Sequence, residues 1–287
     1  MIKKIESSSI RLLGLILLSL LFLSLNSILC KIALANEYID AYTFTFFRLL
    51  FAAITLMLIL VFQGSSIKVS FKSNWGSSFM LFLYAVGFSY AYLSLDAGFG
   101  TLLLFAVVQI TMLISSLLFK EKIDLKKLFG IILAFLGLVY LLYPNEKFEI
   151  SYFHVLLMII AGFAWGVYSV LGKKSKNALF NTYDNFFKAS IFIVLFYILF
   201  VYESLIFSSY GVFIAFISGS LTSAIGYTIW YKTLPNLTIV TASTLQLLVP
   251  IIAVLLSVAF LEEVFTLNLL ISMVLVSVGV IVSIYPK

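Results

Sequence analysis

Two cationic side chains lie inside long apolar runs of this sequence. Arg48 and Lys188 each follow a pair of phenylalanines. A charge within a lipid-embedded helix costs about 2.5–3.5 kcal/mol at the bilayer centre on insertion scales, so something must compensate it. Either these side chains extend to the lipid headgroups, or they contact a substrate anion or gate a pathway. The sequence leaves both interpretations open.

Amide and aromatic side chains form a second set of candidates. They lie at depths where lipid cannot satisfy a hydrogen-bonding group, so each amide must face protein or a water-filled cavity. Interhelical hydrogen bonding and ordinary packing explain the same residues. We predict that the following residues line a cavity for a small molecule: Asn26, Tyr84, Phe88, Gln109, Trp165, Tyr168, Tyr227, Trp230 and Gln246.

Other chemistry finds little support in the sequence. One cysteine, Cys30, and one histidine, His154, exclude an internal disulfide and a metal-binding cluster. We predict no cofactor, no metal and no catalytic residue, and a GxxxxGK[ST] phosphate loop is absent. Asp184 and Glu121 are predicted to be helix-end charges held by solvent or local hydrogen bonds. No carboxylate then lies at mid-depth, which disfavours a proton site.

The elements that position these residues are predicted to be transmembrane helices. Of the 287 residues, 63% are apolar and 10% charged, whereas soluble domains carry about 25% charged residues. Roughly 20 apolar residues cross a bilayer. Ten apolar runs lie near 11–34, 41–62, 76–95, 98–119, 126–143, 152–172, 184–202, 209–231, 238–260 and 266–285.

The charges between the runs predict an orientation. Ten spans with both termini in the cytoplasm leave only Lys31 and Lys147 on the outer side, as the positive-inside rule expects. The first run also resembles a secretory signal peptide ending at Ala33-Leu34-Ala35, but its length favours a retained span. The cytoplasmic cations are then Lys3, Lys4, Arg11, Lys68, Lys72, Lys120, Lys122, Lys126, Lys127, Lys173, Lys174, Lys176, Lys232 and Lys287.

The sequence repeats itself with an offset near 142 residues. That shift aligns Glu121 with Glu263 and Gly137 with Gly279, and a shift of 140 aligns Arg48 with Lys188. We therefore predict two five-helix units, residues 1–144 and 145–287. Because five is odd, the second unit enters the membrane with the opposite orientation, the architecture that supports alternating access around a midplane site.

Several segments of the chain match those of a known transporter family. They are Phe46-Phe47-Arg48 and Phe186-Phe187-Lys188, Ala164-Trp165-Gly166-Val167-Tyr168, Gly226-Tyr227-Thr228-Ile229-Trp230-Tyr231, residues 250–263 and the helices of Gly137 and Gly279. In these segments the chain resembles the drug/metabolite transporter superfamily, specifically its ten-helix EamA-type members with two EamA repeats. It departs from them at Val108, where the family often has proline.

Together these features predict an all-α, multi-pass protein of the inner cell membrane. We expect a secondary transporter that exports a small metabolite, amino acid or hydrophobic compound by alternating access. The expected partners are that small molecule and the lipid bilayer, without nucleic acid; proton coupling and a homodimer are compatible with the sequence. An integral membrane enzyme and a non-transporting membrane component are the alternatives.

Overall fold

The computed structural model describes residues 2–65, 74–121, 123–142, 151–200, 205–260 and 267–284. These residues are almost entirely helical, and β-structure within them is confined to an isolated bridge between Ile39 and Phe207. The helices of the first half are α1 Ile2–Ala35, α2 Ala41–Phe62, α3 Trp75–Ala91, α4 Ala97–Leu118 and α5 Leu125–Leu142. Those of the second half are α6 Tyr152–Gly172, α7 Ala178–Phe200, α8 Ser209–Ile217, α9 Gly226–Thr233, α10 Ile239–Gln246, α11 Leu248–Phe260 and α12 Leu267–Ile284.

Two of the predicted spans are interrupted helices. A π-helix, Ser218–Ile225, joins α8 to α9, and a short 3₁₀ turn follows at Leu234–Asn236. The next span breaks at Leu247, between α10 and α11. Pro250 explains this break, because proline has no N–H to donate to the carbonyl group of the residue four positions earlier, Gln246.

The lengths and surface of the helices fit a bilayer. Among the described residues, seven segments are long and apolar enough to cross a membrane, and α3, α5 and α12 have 17, 18 and 18 residues. Large apolar side chains such as Phe62, Leu118 and Phe153 are exposed, which suits lipid and would be unfavourable in water. The chain is therefore a polytopic all-α membrane protein, as predicted.

Corresponding helices of the two halves pack antiparallel. In α5 and α12, Gly130 lies against Ser283, whereas Gly137 lies against Val276. α2 and α7 also pair in opposite directions: Tyr42 near the start of α2 contacts Tyr197 near the end of α7, with ring centroids 5.0 Å apart. This arrangement is the one that an inverted repeat requires.

The predicted start of α7 is wrong in a way that matters for the site. The sequence placed the seventh span at 184–202, but α7 begins at Ala178. The polar residues Asn181 and Thr182 lay outside the predicted span, and Asp184 was predicted to be a charge at its end. In the structure Thr182, Asp184 and Asn185 are buried against protein, so the helix accommodates them within the span.

The close approach of α5 and α12 gives a first prediction. A Cβ atom at Gly279 would lie 2.5 Å from the Ala134 backbone nitrogen and 2.6 Å from the Gly130 carbonyl oxygen. We expect Gly279→Leu to force the helices apart and to lower the free energy of unfolding by about 1–3 kcal/mol. The measurement is the midpoint of thermal unfolding in detergent.

Gly76 in α3 provides the matched control, because a Cβ atom there would meet nothing within 4 Å. Gly76→Leu should leave the midpoint near that of the parent protein. Equal midpoints for the two leucine variants would show that the α5–α12 contact does not depend on the small residue.

Candidate substrate site between the two halves

Arg48 lies in the protein interior and not at the headgroups. Its side chain is 1% exposed, so the interpretation in which it extends to the lipid surface is wrong. Nε donates to Ser223 Oγ at 3.0 Å, and Nη2 donates to Tyr227 Oη at 2.6 Å and Tyr84 Oη at 3.2 Å. The guanidinium carbon lies 5.2 Å from the centroid of the Phe88 ring. Arg48 therefore connects α2 and α3, in the first half, to the π-helix and α9 in the second half.

Aromatic rings from both halves surround this contact. Trp165 in α6 lies with its ring centroid 4.9 Å from that of Tyr84 and 4.7 Å from that of Tyr227. Its indole N–H donates to Gln246 Oε1 in α10 at 2.6 Å, and the Tyr168 ring follows at 5.5 Å. We call the set the central cluster: Arg48, Tyr84, Phe88, Trp165, Tyr168, Tyr227 and Gln246. The structure thus brings together most of the residues predicted to line a cavity.

The π-helix connects Asn26 to the central cluster. Asn26 Oδ1 in α1 accepts hydrogen bonds from Thr222 at 2.6 Å and from Ser223 at 3.4 Å, and Ser223 in turn accepts from Arg48. π-Helices are rare and occur often at functional sites. Sequence reasoning missed this element, although the run of small and hydroxyl-bearing residues in Ser218–Ile225 was a usable signal.

Two predicted cavity residues lie in other surroundings. Trp230 in α9 donates from its indole nitrogen to Ser169 Oγ in α6 at 3.2 Å, which is an interhelical contact. Gln109 in α4 is 2% exposed, and both polar atoms of its amide lack a hydrogen-bond partner among the described residues. A buried amide in that condition costs about 1–3 kcal/mol, so Gln109 stays a candidate for contact with water or substrate.

Lys188 forms an ion pair inside the protein. Its Nζ donates to Asp184 Oδ2 at 2.7 Å, one helical turn away in α7, and both side chains are fully buried. Asn74 also donates to that carboxylate at 2.9 Å, and the Trp75 ring centroid lies 5.5 Å from Nζ. The interpretation of Lys188 as a headgroup contact is therefore wrong, and so is that of Asp184 as a solvated charge.

The symmetry-related cations Arg48 and Lys188 consequently differ in their electrostatic environment. Lys188 has a carboxylate partner on its own helix, whereas the hydrogen-bond partners of Arg48 among the described residues are all neutral hydroxyl groups. Asp184 lies six residues after the start of α7 at Ala178, near one end of the helix and not at its middle, but its carboxylate is fully buried.

A groove of about 390 Å³ lies between α2 and α7, outside the central cluster. Its lining is nearly all apolar, and none of the residues predicted to form a substrate cavity contributes to it. Lining residues include Leu50, Ala53, Met57, Tyr183, Phe187 and Val194. Such a groove suits a lipid chain or another apolar group more than a polar solute.

Glu121 joins three segments at one end of the helices. Its carboxylate accepts from Lys173 Nζ at 2.9 Å and from the backbone N–H groups of Ile239 at 3.0 Å and Val240 at 3.3 Å, at the start of α10. Burial alone would raise the pKa of this carboxyl, but the N–H groups and Lys173 together hold the pKa below its ordinary value. The partners are distant in sequence, so the prediction of solvent or local contacts was wrong.

These contacts predict a pH dependence of stability. A carboxyl whose pKa is lowered on folding stabilises the protein above its unfolded-state pKa, and this contribution disappears as the pH falls through the folded-state pKa. We expect Glu121→Gln to unfold at lower temperature than the parent near about pH 7 and to show a weaker loss of stability below about pH 4. Thermal unfolding midpoints across this range provide the measurement.

Asp124→Asn is the control, because Asp124 makes a local contact with the N–H of Lys127 at the start of α5. It should keep the pH dependence of the parent. If Glu121→Gln and the parent lose stability in parallel on acidification, the Glu121 carboxylate does not contribute as described.

The fold and this interface define a class: a polytopic membrane protein of two inverted halves with a buried polar and aromatic cluster between them. The chain belongs to the EamA-like transporter family, whose model matches residues 11–143 and 152–285. Each half thus carries one family repeat, which confirms the resemblance noted from the sequence. Membership makes the chain a membrane transporter of the drug/metabolite type.

Similar proteins are found among bacterial sequences and solved structures. The chain is 38% identical over 253 residues to an uncharacterised protein of Pseudomonas aeruginosa, covering 88% of this chain and 87% of that protein. It is 22% identical over 248 residues to YoaV, an uncharacterised transporter of Bacillus subtilis, covering 83% and 85%. A crystal structure of a protein with 16% identity superposes with a TM-score of 0.75 over 94% of this chain and 96% of that one, a likeness in fold.

Proposed function

We propose that the chain is a secondary transporter that exports a small organic molecule by alternating access, with the central cluster as its substrate site. The observation that carries the proposal is the contact of Arg48 with Tyr84 in its own half and with Tyr227 in the other. Rocking of one half against the other would change the distance between such groups. The contacts of a substrate bound to both halves would therefore change as the halves move during transport.

In the proposed orientation the protein lies in the inner cell membrane and both termini are in the cytoplasm. Its support is the distribution of lysines and arginines between alternate loops. The end of the molecule that contains Glu121 and Lys173 would then face the cytoplasm. The connection of Asp40 to the Ile206 backbone N–H, at 2.8 Å, would lie at the outer face.

Proton coupling is part of the proposal because of Asp184. The sequence disfavoured coupling because no carboxylate was expected at mid-depth. Asp184 lies near one end of α7, but its carboxylate is fully buried within the helix. Intramembrane carboxylates often mark proton pathways. The charged and polar groups that contact Asp184 are Lys188 in α7 and Asn74 at the start of α3. Assembly as a homodimer remains a further expectation.

Flux measurements in liposomes test the proposal. Purified protein would be assayed for saturable counterflow of labelled organic acids, amino acids, nucleobases and cationic dyes, with and without a pH gradient. Tyr227→Phe removes a hydroxyl group that contacts Arg48 while keeping the ring, and we expect roughly a tenfold loss of saturable flux. Met57→Leu in the apolar groove is the matched conservative control and should transport normally.

Two results would count against the proposal. Properly folded protein that shows no saturable flux of any class would remove the transporter assignment. Saturable flux that Tyr227→Phe leaves intact would keep transport but place the substrate elsewhere. A flux that collapses without the pH gradient would identify proton coupling, and one that persists would identify a uniporter.

A further inference from the structure

The charge of Arg48 has no counter-ion in the described part of the chain. The ion pairs there are Lys173–Glu121 and Lys188–Asp184. Arg48 is fully buried, and its Nη1 atom has no hydrogen-bond partner among those residues. Burying an unpaired charge is costly, and Arg presents a planar set of donors that matches a carboxylate. Within the described residues, no acidic side chain neutralises Arg48, and its donors match those that bind a carboxylate.

Hydroxyl groups around Arg48 add a donor. Tyr227 Oη donates to Tyr84 Oη at 3.1 Å, and both oxygens accept from Nη2 of Arg48. Two hydroxyl groups have two hydrogens, and one hydrogen bond between them uses one of these. The other hydrogen remains for an additional acceptor. The site offers more donors than acceptors, which favours an anionic ligand over a cationic one.

The remaining surroundings are aromatic. Phe88 lies beneath the guanidinium group, and the Trp165 ring contacts both tyrosines. Such rings bind apolar or aromatic groups by contact area and geometry. A ligand that joins a carboxylate to a compact apolar body would match both parts of the site.

We propose that Arg48 binds the carboxylate of an organic monoanion with an aromatic or branched apolar body. The inference rests on the proposed function and names its substrate class. The net charge follows from the local balance: one carboxylate neutralises Arg48, whereas the ammonium group of a zwitterion would find no acidic partner in the central cluster. The buried carboxylate Asp184 is already paired with Lys188.

Three probes with the same phenyl ring separate these charges: 3-phenylpropanoate, phenylalanine and 3-phenylpropylamine. Binding to detergent-solubilised protein at about pH 7 would be measured by the ligand-dependent rise in the thermal unfolding midpoint and by equilibrium dialysis. The expected order is anion first, zwitterion weaker and amine weakest. We expect Arg48→Gln to weaken binding of 3-phenylpropanoate about 10- to 100-fold, and Arg48→Lys to retain part of it.

Lys174→Gln is the control for loss of one positive charge, because Lys174 lies over the Phe119 ring, away from the central cluster. It should bind 3-phenylpropanoate as the parent does. The order of the three probes on the parent protein tests the proposal even if Arg48→Gln does not fold. Tyr227→Phe provides a second, milder variant that should also weaken binding of the anion.

The outcomes separate the two levels of inference. The proposed substrate class is overturned if phenylalanine or the amine binds as tightly as the anion. It is also overturned if Arg48→Gln binds the anion as tightly as the parent does. If none of the three binds but the protein carries another class of solute with saturable flux, the substrate class fails and the transporter stands. Absence of saturable flux for every class overturns both.

Discussion

Lys188→Met is expected to lower the free energy of unfolding by about 3–5 kcal/mol, because it leaves the fully buried carboxylate of Asp184 without its cationic partner. Asp184→Asn should cost a similar amount by removing the carboxylate that accepts from the buried ammonium group of Lys188. The double variant Asp184→Leu with Lys188→Met should recover most of the loss, since replacing both charges by apolar groups of similar size is often neutral. Thermal unfolding midpoints in detergent of the parent, both single variants and the double variant would measure this.

Lys173→Met supplies the comparison. The Lys173–Glu121 pair is partly exposed, with side-chain exposures of 31% and 18%, so its loss should cost less. If the single variants of Lys188 and Asp184 unfold at the same temperature as the parent, the buried pair does not contribute to stability. The double variant also separates structure from function: a stable protein that no longer transports would indicate that the pair takes part in transport.

Trp165→Ala is expected to have the second large effect, about 3–5 kcal/mol in the free energy of unfolding together with loss of saturable flux. The substitution removes ring contacts with Tyr84 and Tyr227 and leaves Gln246 Oε1 without its donor. Trp165→Phe keeps an aromatic ring but leaves Gln246 Oε1 without its donor, so it should lower the free energy of unfolding by about 1–3 kcal/mol, the cost of one unsatisfied buried group. Thermal unfolding and liposome flux are the two measurements.

Phe153→Ala controls for the loss of an aromatic ring from the same helix, because Phe153 is 64% exposed on the lipid-facing surface of α6. It should change stability and flux little. If Trp165→Ala were as stable and as active as Phe153→Ala, the ring of Trp165 would not be a structural part of the central cluster.

Much of the architecture could be predicted from the sequence because lipid imposes a simple rule. Backbone groups in hydrocarbon must be satisfied within the segment, so long apolar runs become helices. The runs at 41–62 and 152–172 agree with α2 and α6 at both ends. The repeat offset paired α5 with α12 through Gly137 and Gly279, and the structure places these helices in contact.

The candidate site was harder to predict because its contacts join residues distant in sequence. Arg48 and Tyr227 are 179 positions apart in the sequence, and Trp165 and Gln246 are 81 positions apart. The sequence marked each of them as unusual for its depth. One difference between Arg48 and Lys188 was present in the sequence: Asp184 precedes Lys188 by four residues, the spacing of a helical ion pair, whereas Phe44 precedes Arg48 by four.

The sequence by itself determined the solvent, the helical class and the repeated halves, because apolar length and residue periodicity act locally along the chain. Only the tertiary structure decided which charges are buried and what surrounds them. Asp184 lies one helical turn from Lys188 in α7, and helix packing buries this pair completely. Packing of α3 and the π-helix on α2 surrounds Arg48 with neutral hydroxyl groups. Charge balance in a low-dielectric interior depends on distances of a few ångströms, and those distances are set by helix packing.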